Sequence, residues 1–262
     1  MPIPYYVINP RRNLVWPPLS NPWHSVAGLI GAMYPRRRIA IVICCLFFVV
    51  ATAVAMLHYP GGTHLDPQTD GYRFFDNTFS ELGRTEGYEG EAKYASLVLF
   101  LLATLVAGAG LMAFFAIEAI DARTHGGNRI AAMCAMSFGA ITGLGFIGIG
   151  ATPTDVVHDL HYVFVYTAFL SYIPSVAALL VAWWTAWRAN RRRCRTKLWT
   201  YGTFLLLLAA YFLLMVLLRA AALETVHMVL TAGQKMVVYA ALGVVAFICV
   251  DDVMRNRAPP ER

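Results

Sequence analysis

The chain has 262 residues, 58% of them hydrophobic and only 14% charged, with a mean hydropathy of +0.57 and a formal net charge of +6. A soluble domain is nearer half apolar and a quarter charged, so this composition excludes an ordinary soluble enzyme. It also excludes a nucleic-acid-binding domain, because the basic residues have no polar body to sit on.

Residues 1–37 form an N-terminal juxtamembrane segment. Its start, PIPYYVINPRRNLVWPPLSNPW, is rich in proline and aromatics and reads as an irregular strap on the membrane surface. Beyond it, Trp23, Val26, Ala27, Ile30 and Tyr34 recur at helical spacing, which fits either a short interfacial helix or a loosely ordered tail.

Six apolar runs of span length follow, at about 38–59, 92–120, 129–151, 161–187, 198–218 and 228–250. A helix crosses the hydrocarbon core with ~20 apolar residues. The bilayer offers no water to pair a bare backbone, so helices are the form these runs must take. The predicted fold class is an all-α integral membrane protein, a bundle of six transmembrane helices over residues 38–250. An outer cap loop occupies 60–91, and a polar tail 251–262. The first run is of full span length and lacks a small-residue cleavage site, so it is expected to stay as a span.

Lysines and arginines in short loops set the orientation. They collect before the first run (Arg11, Arg12, Arg36, Arg37, Arg38), between the second and third (Arg123, Arg129), in RANRRRCRTK, and in the tail. The loop at 59–91 instead carries seven acids against two arginines, and 152–160 has no basic residue but histidine. Both termini are therefore expected in the cytoplasm, with the acidic segment outside. Cys44, Cys45, Cys134, Cys194 and Cys249 all fall toward the cytoplasmic side, so no external disulfide framework is expected.

The third run carries Gly139, Gly143, Gly145, Gly148 and Gly150, which predict close helix packing, not a binding site. Pro174 is expected to kink the fourth span.

Three polar motifs converge on the outer face. DNTFSELG holds Asp76, Asn77, Ser80 and Glu81; TPTDVVHDLH holds Asp155, His158, Asp159 and His161; RAAALETVH holds Arg219, Glu224 and His227. His158 and His161 lie three apart on a helix face, as do Glu224 and His227. Two readings stand. In one, His158, His161, His227 and Asp155 bind zinc or a similar ion that activates water, with Ser80, Glu81 and Asp159 as candidate catalytic or orienting groups. In the other, Thr154 or Asp155 caps the fourth helix, Glu224 caps the sixth, and the rest are interfacial. Gln234 and Lys235 form a polar pair ~10 Å into the sixth span by helix rise. Lys235 is expected either to snorkel outward or, by preference, to pair with Glu81 or Asp159.

NTFSELG, GIGATPTDVVHDLH and TAGQK together resemble the signature elements of a bacterial and archaeal six-span family of unknown function. That family is distantly similar to the FRAG/DRAM/SFK membrane proteins. The resemblance covers about 38–250 and marks Ser80, Glu81, Gly83, Pro153, Asp155, His161, Gln234 and Lys235. It implies a prokaryotic plasma membrane and membrane lipids as partners. A weaker likeness, through NTFS and the outer histidines, is to alkaline-ceramidase-type hydrolases, which bind zinc; six spans and the lack of a C-terminal His-x-x-x-His depart from it.

These readings leave a lipid-interacting or membrane-organising protein without catalysis as the first function class. A zinc-dependent hydrolase of a lipid or amide at the outer leaflet is the second. A transporter is disfavoured, since no inverted repeat or pair of broken helices is evident.

Overall fold

A computed structural model of the chain describes residues 22–187, 191–218 and 223–257, with side chains from Pro35 onward except at 192, 193, 223, 224 and 257. Six long helices make up most of it: α1 (Pro22–Leu57), α2 (Tyr94–Thr124), α3 (Arg129–Ala151), α4 (His158–Ala186), α5 (Arg191–Leu217) and α6 (Leu223–Arg257). Each contains a stretch long and apolar enough to cross a bilayer. The shortest, α3 with 23 residues, rises ~35 Å, more than the ~30 Å hydrocarbon core. The protein is a multi-pass integral membrane protein with an all-α fold.

Helix α1 starts at Pro22, not at 38, and runs unbroken through Pro35. Residues 22–34 are thus continuous with the first span and not a loose tail. The strap of residues 1–21 and the face formed by Trp23, Val26, Ala27, Ile30 and Tyr34 lie outside the described residues and side chains. So do Arg219 and the Glu224 side chain.

Each helix packs on the next, and α6 returns to α1 to close the ring. The first four helices are held tightly, for a reason visible in the glycines. A Cβ on Gly143 would stand 2.5 Å from the Gly108 carbonyl oxygen, and one on Gly145 would stand 2.8 Å from the Ala168 backbone. Helix α3 therefore lies backbone-close to both α2 and α4. Helix α5 differs: 17% of its span is buried, against 44% for α2 and for α6. Helix α4 runs through Pro174 without interruption. Near the carbonyl that Pro174 leaves unpaired, Ser171 and Ser175 donate to carbonyls one turn back, and Ser171 also meets Thr142 at 2.8 Å.

The α1–α2 and α3–α4 connections meet over one end of the bundle, here the cap end. The longest, residues 58–93, folds as a cap around a short 3-10 helix, Ser80–Gly83, and two isolated bridge pairs, Gly61–Asp70 and Glu86–Ala92. Phe79 is its apolar anchor, edge-on to Phe48 of α1 at 5.8 Å and to Tyr239 of α6 at 5.5 Å. Gly62 must be glycine: its φ is +83° and a Cβ would stand 2.7 Å from the Tyr88 ring.

Candidate functional site

Three tethers hold the cap on the bundle, and their geometry defines the candidate site. The first is on α6. Lys235 is fully buried and donates to the carbonyls of Phe74, Asn77 and its own Thr231, which uses all three ammonium protons. Thr231 donates to the Phe75 carbonyl, and His227 Nε2 lies 2.8 Å from the Asp76 carbonyl. Lys235 therefore ties α6 to the acidic segment, but through backbone carbonyls and not through the carboxylates of Glu81 or Asp159.

The second tether is Asp155. Its carboxylate accepts from the backbone N–H of Thr85 and Glu86 and from the Thr85 hydroxyl at 2.8–3.1 Å. Burial works against the charged form, yet these bonds outweigh it and hold the carboxyl below its usual range. Asp155 thus clamps the cap and does not cap α4, whose N-cap is Val157 with no side-chain bond.

The third tether is a pair. His161 of α4 is buried, and its Nε2 lies 2.8 Å from Ser80 Oγ. Its Nδ1 lies 2.6 Å from the Thr152 carbonyl oxygen. A carbonyl only accepts, so Nδ1 carries the proton; the neutral ring then presents a lone pair at Nε2, and Ser80 donates to it. This is the arrangement of a hydroxyl nucleophile, a base within reach, and a third group that fixes the base's tautomer.

Glu81, one residue on, is directed elsewhere. It is buried and accepts from Asn77 Nδ2 at 2.7 Å, the Thr78 N–H at 2.9 Å and the Tyr88 hydroxyl at 2.6 Å. Asn77 also spans to the Gly62 carbonyl at 2.8 Å. Lys93 donates to the Glu81 carbonyl at 2.7 Å, with its ammonium 3.6 Å from the centre of the Tyr59 ring. Burial, then repulsion from Arg84, pushes the Lys93 ammonium down to about 7. Burial, then the bond to Glu81, pushes the Tyr88 hydroxyl up.

The remaining histidines do not join His161. His158 is exposed and stacks near Tyr162 at 4.8 Å, and Asp159 is exposed in the first turn of α4. Among the described residues, His158, His161, His227 and Asp155 do not gather three ligand atoms around one point; the one group that does is Glu118, Asp121 and Asp252, at the other end of the bundle. That space is already filled by cations. Arg38 pairs with Glu118, and reaches Asp252 at 2.9 Å and Asp121 at 3.2 Å. Lys197 meets Glu118 at 2.8 Å and Asp252 at 2.9 Å, while Tyr201 and Trp183 also donate to Glu118.

Below Ser80 runs a narrow apolar crevice. Its walls include Phe48, Phe100, Phe146, Phe169 and Val238, and its polar lining residues besides Ser80 are Gln234 and Thr104. The free space left inside has room for about one water. Searches against protein-family models, curated proteins and solved structures gave no match.

Sequence reasoning named Ser80 and His161 but gave them separate roles, one beside a metal and one on it. It did not foresee Lys93, Tyr59, Tyr88, or the charged ring around Glu118. A carboxylate inside the apolar run AIEAI was the signal available for that ring.

Proposed function

We propose that this protein is a membrane-embedded serine hydrolase or acyltransferase that acts on a lipid ester at the outer face of a prokaryotic plasma membrane. One observation carries the proposal: the Ser80–His161–Thr152 chain of hydrogen bonds stands at the polar end of an apolar crevice. The positive-inside pattern supports a cap end on the outer side, and the six-span resemblance supports lipid as the partner.

In the reaction, Ser80 Oγ attacks the ester carbonyl carbon as its proton passes to His161 Nε2. The acyl C–O bond breaks, and the departing alkoxide takes that proton and leaves as the lyso product. Water then attacks acyl-Ser80, gives a proton to Nε2, and releases the fatty acid as Ser80 regains its hydrogen; an acceptor alcohol in place of water gives transfer. The Gln234 amide, which lines the same crevice as Ser80, is the candidate donor to the developing oxyanion.

The narrowness of the crevice favours a second reading, in which the pair only staples the cap to α4 and the protein organises lipid without catalysis. A small fluorophosphonate separates the two. On purified protein in nanodiscs, the hydrolase reading expects covalent labelling at Ser80, none in Ser80→Ala, and a rate ~10²-fold lower or less in His161→Ala. Labelling that survives EDTA also distinguishes it from zinc-dependent hydrolysis. Folded wild-type protein that takes no label leaves the staple.

A further inference from the structure

The walls of the crevice come from α1, α2, α3, α4, α6 and the cap, with none from α5. Yet α5 is the helix that stands between α4 and α6, which hardly touch one another. Helix α5 fills that gap over only part of its length. Lys197 and Tyr201 bind it to the charged ring, and Phe204 packs edge-on to Tyr172 of α4 at 5.7 Å. From Leu205 to Leu217 the one buried residue is Leu208, and Tyr211 leans on Gly233 of α6. On the α4 side, Tyr166 and Leu170 are 60% and 62% exposed, directly beside the half-buried crevice residues Val165 and Phe169.

The two edges of this gap are fixed and its filler is not. Helix α4 is pinned to the cap by His161–Ser80, and α6 by Lys235, Thr231 and His227 on residues 74–77. The depth is equally informative. On α1, α2 and α4 the innermost crevice residues, Phe48, Thr104 and Phe169, lie nine to eleven residues from the cap end of their helices. At 1.5 Å per residue that is ~15 Å, the thickness of one leaflet's hydrocarbon.

We infer that one acyl chain of a lipid in the cap-side leaflet enters sideways between the cap-end halves of α4 and α6. It displaces the loosely held half of α5 and lays its ester against Ser80. The inference rests on the hydrolase reading for the ester and on the packing alone for the chain. Walls that are mostly aromatic and aliphatic, with the one deep hydroxyl, Thr104, already donating to the carbonyls of its own helix, suit a hydrocarbon tail, and hydrocarbon is what surrounds this face of a six-span protein. Admission moves α5, which covers the gap between α4 and α6, and parts the crevice walls, whose free space holds about one water.

The test uses the full chain in nanodiscs with ethyl and hexadecyl fluorophosphonates, on wild type, Val165→Trp and Val238→Trp. The second variant serves if the first fails to fold. A ring added to either wall should lower the ratio of hexadecyl to ethyl labelling at least tenfold. An unchanged ratio overturns the lateral path while leaving the dyad intact. Should neither probe label wild type, the hydrolase reading has failed, and a diazirine-tailed phosphatidylcholine in the same nanodiscs still decides the path. Crosslinks on Val165, Phe169 or Val238 that the tryptophan variants remove support it. Crosslinks confined to Tyr166, Leu170, Leu206 and Leu213 overturn it.

Discussion

The two ends of the bundle bury charge in opposite ways. At the far end, charged side chains pair with one another: Arg38 and Lys197 are enclosed by Glu118, Asp121 and Asp252, and every helix except α3 contributes a residue to that ring. At the cap end, Lys93 and Lys235 are instead held by backbone carbonyls and rings, and Glu81 by amides and a phenol. The far end has its donors and acceptors turned inward on each other, which makes it a clasp. The cap end also turns most of its polar groups inward, but Ser80 remains in the wall of a crevice with a base behind it. Saturation marks a structural cluster; a bonded nucleophile facing open space marks a site.

The sharpest way to break the comparison is at Glu118, which accepts from Arg38, Lys197, Trp183 and Tyr201. Glu118→Ala leaves two cations without their main partner, and removing one member of a buried pair costs about 3–5 kcal/mol. The expected outcome is loss of folded protein on detergent extraction, with α5 the first helix released, because Lys197 and Tyr201 are its main polar ties. Protease accessibility of the 187–197 region measures this. A well-folded Glu118→Ala protein would mean that the ring is not the clasp.

Lys235→Met is the matching change at the cap. It keeps length and burial but removes the donor to the Phe74 and Asn77 carbonyls, while Tyr72 still donates to Asn77 at 3.2 Å. A buried acceptor left unpaired costs about 1–3 kcal/mol, so the unfolding midpoint should fall by less than in Glu118→Ala. Hydrogen exchange in residues 72–79 should rise while the far end stays protected. Equal loosening at both ends would deny the cap its separate anchorage.

This contrast also explains what the sequence made legible. A span is a one-dimensional signal, so each of the six runs lies within an observed helix but for at most two residues at one end, and the third matches residue for residue. Helix α1 passes through Pro35, which a membrane bundle tolerates because neighbouring groups can absorb one lost backbone bond. That Lys235 lies within the sixth helix was legible, but its partners were not, because carbonyl acceptors carry no residue identity. Ser80 and His161 are 81 positions apart, one on a 3-10 turn and one on a helix, and no periodicity links such a pair. Lys197 passed for one more juxtamembrane positive charge, and only the fold shows it turned into the bundle.

The smallest expected effect sharpens the cap end through pH. Lys93 faces Arg84, Glu81, Glu91 and Asp155, and burial with the Arg84 charge brings its ammonium from 10.5 to about 7. Below pH 7 the folded and unfolded chains both carry the proton, and the burial penalty is present in full. Between 7 and 10.5 the unfolded chain holds a proton that the folded one has released, so stability rises with pH through that window. The slope for one group approaches about 1.4 kcal/mol per pH unit. Lys93→Met removes the titrating group, so its unfolding midpoint should shift less between pH 7.5 and 9.5 than that of the wild type. The range stops below 10, where unfolded tyrosines ionise while the raised hydroxyls of Tyr59, Tyr72 and Tyr88 keep their protons and reverse the trend. Parallel pH curves for the two proteins would show that Lys93 stays charged in the folded cap. The Tyr59 ring and the Glu81 carbonyl would then compensate its burial fully, and the cap would rest on a permanent cation, as the far end does.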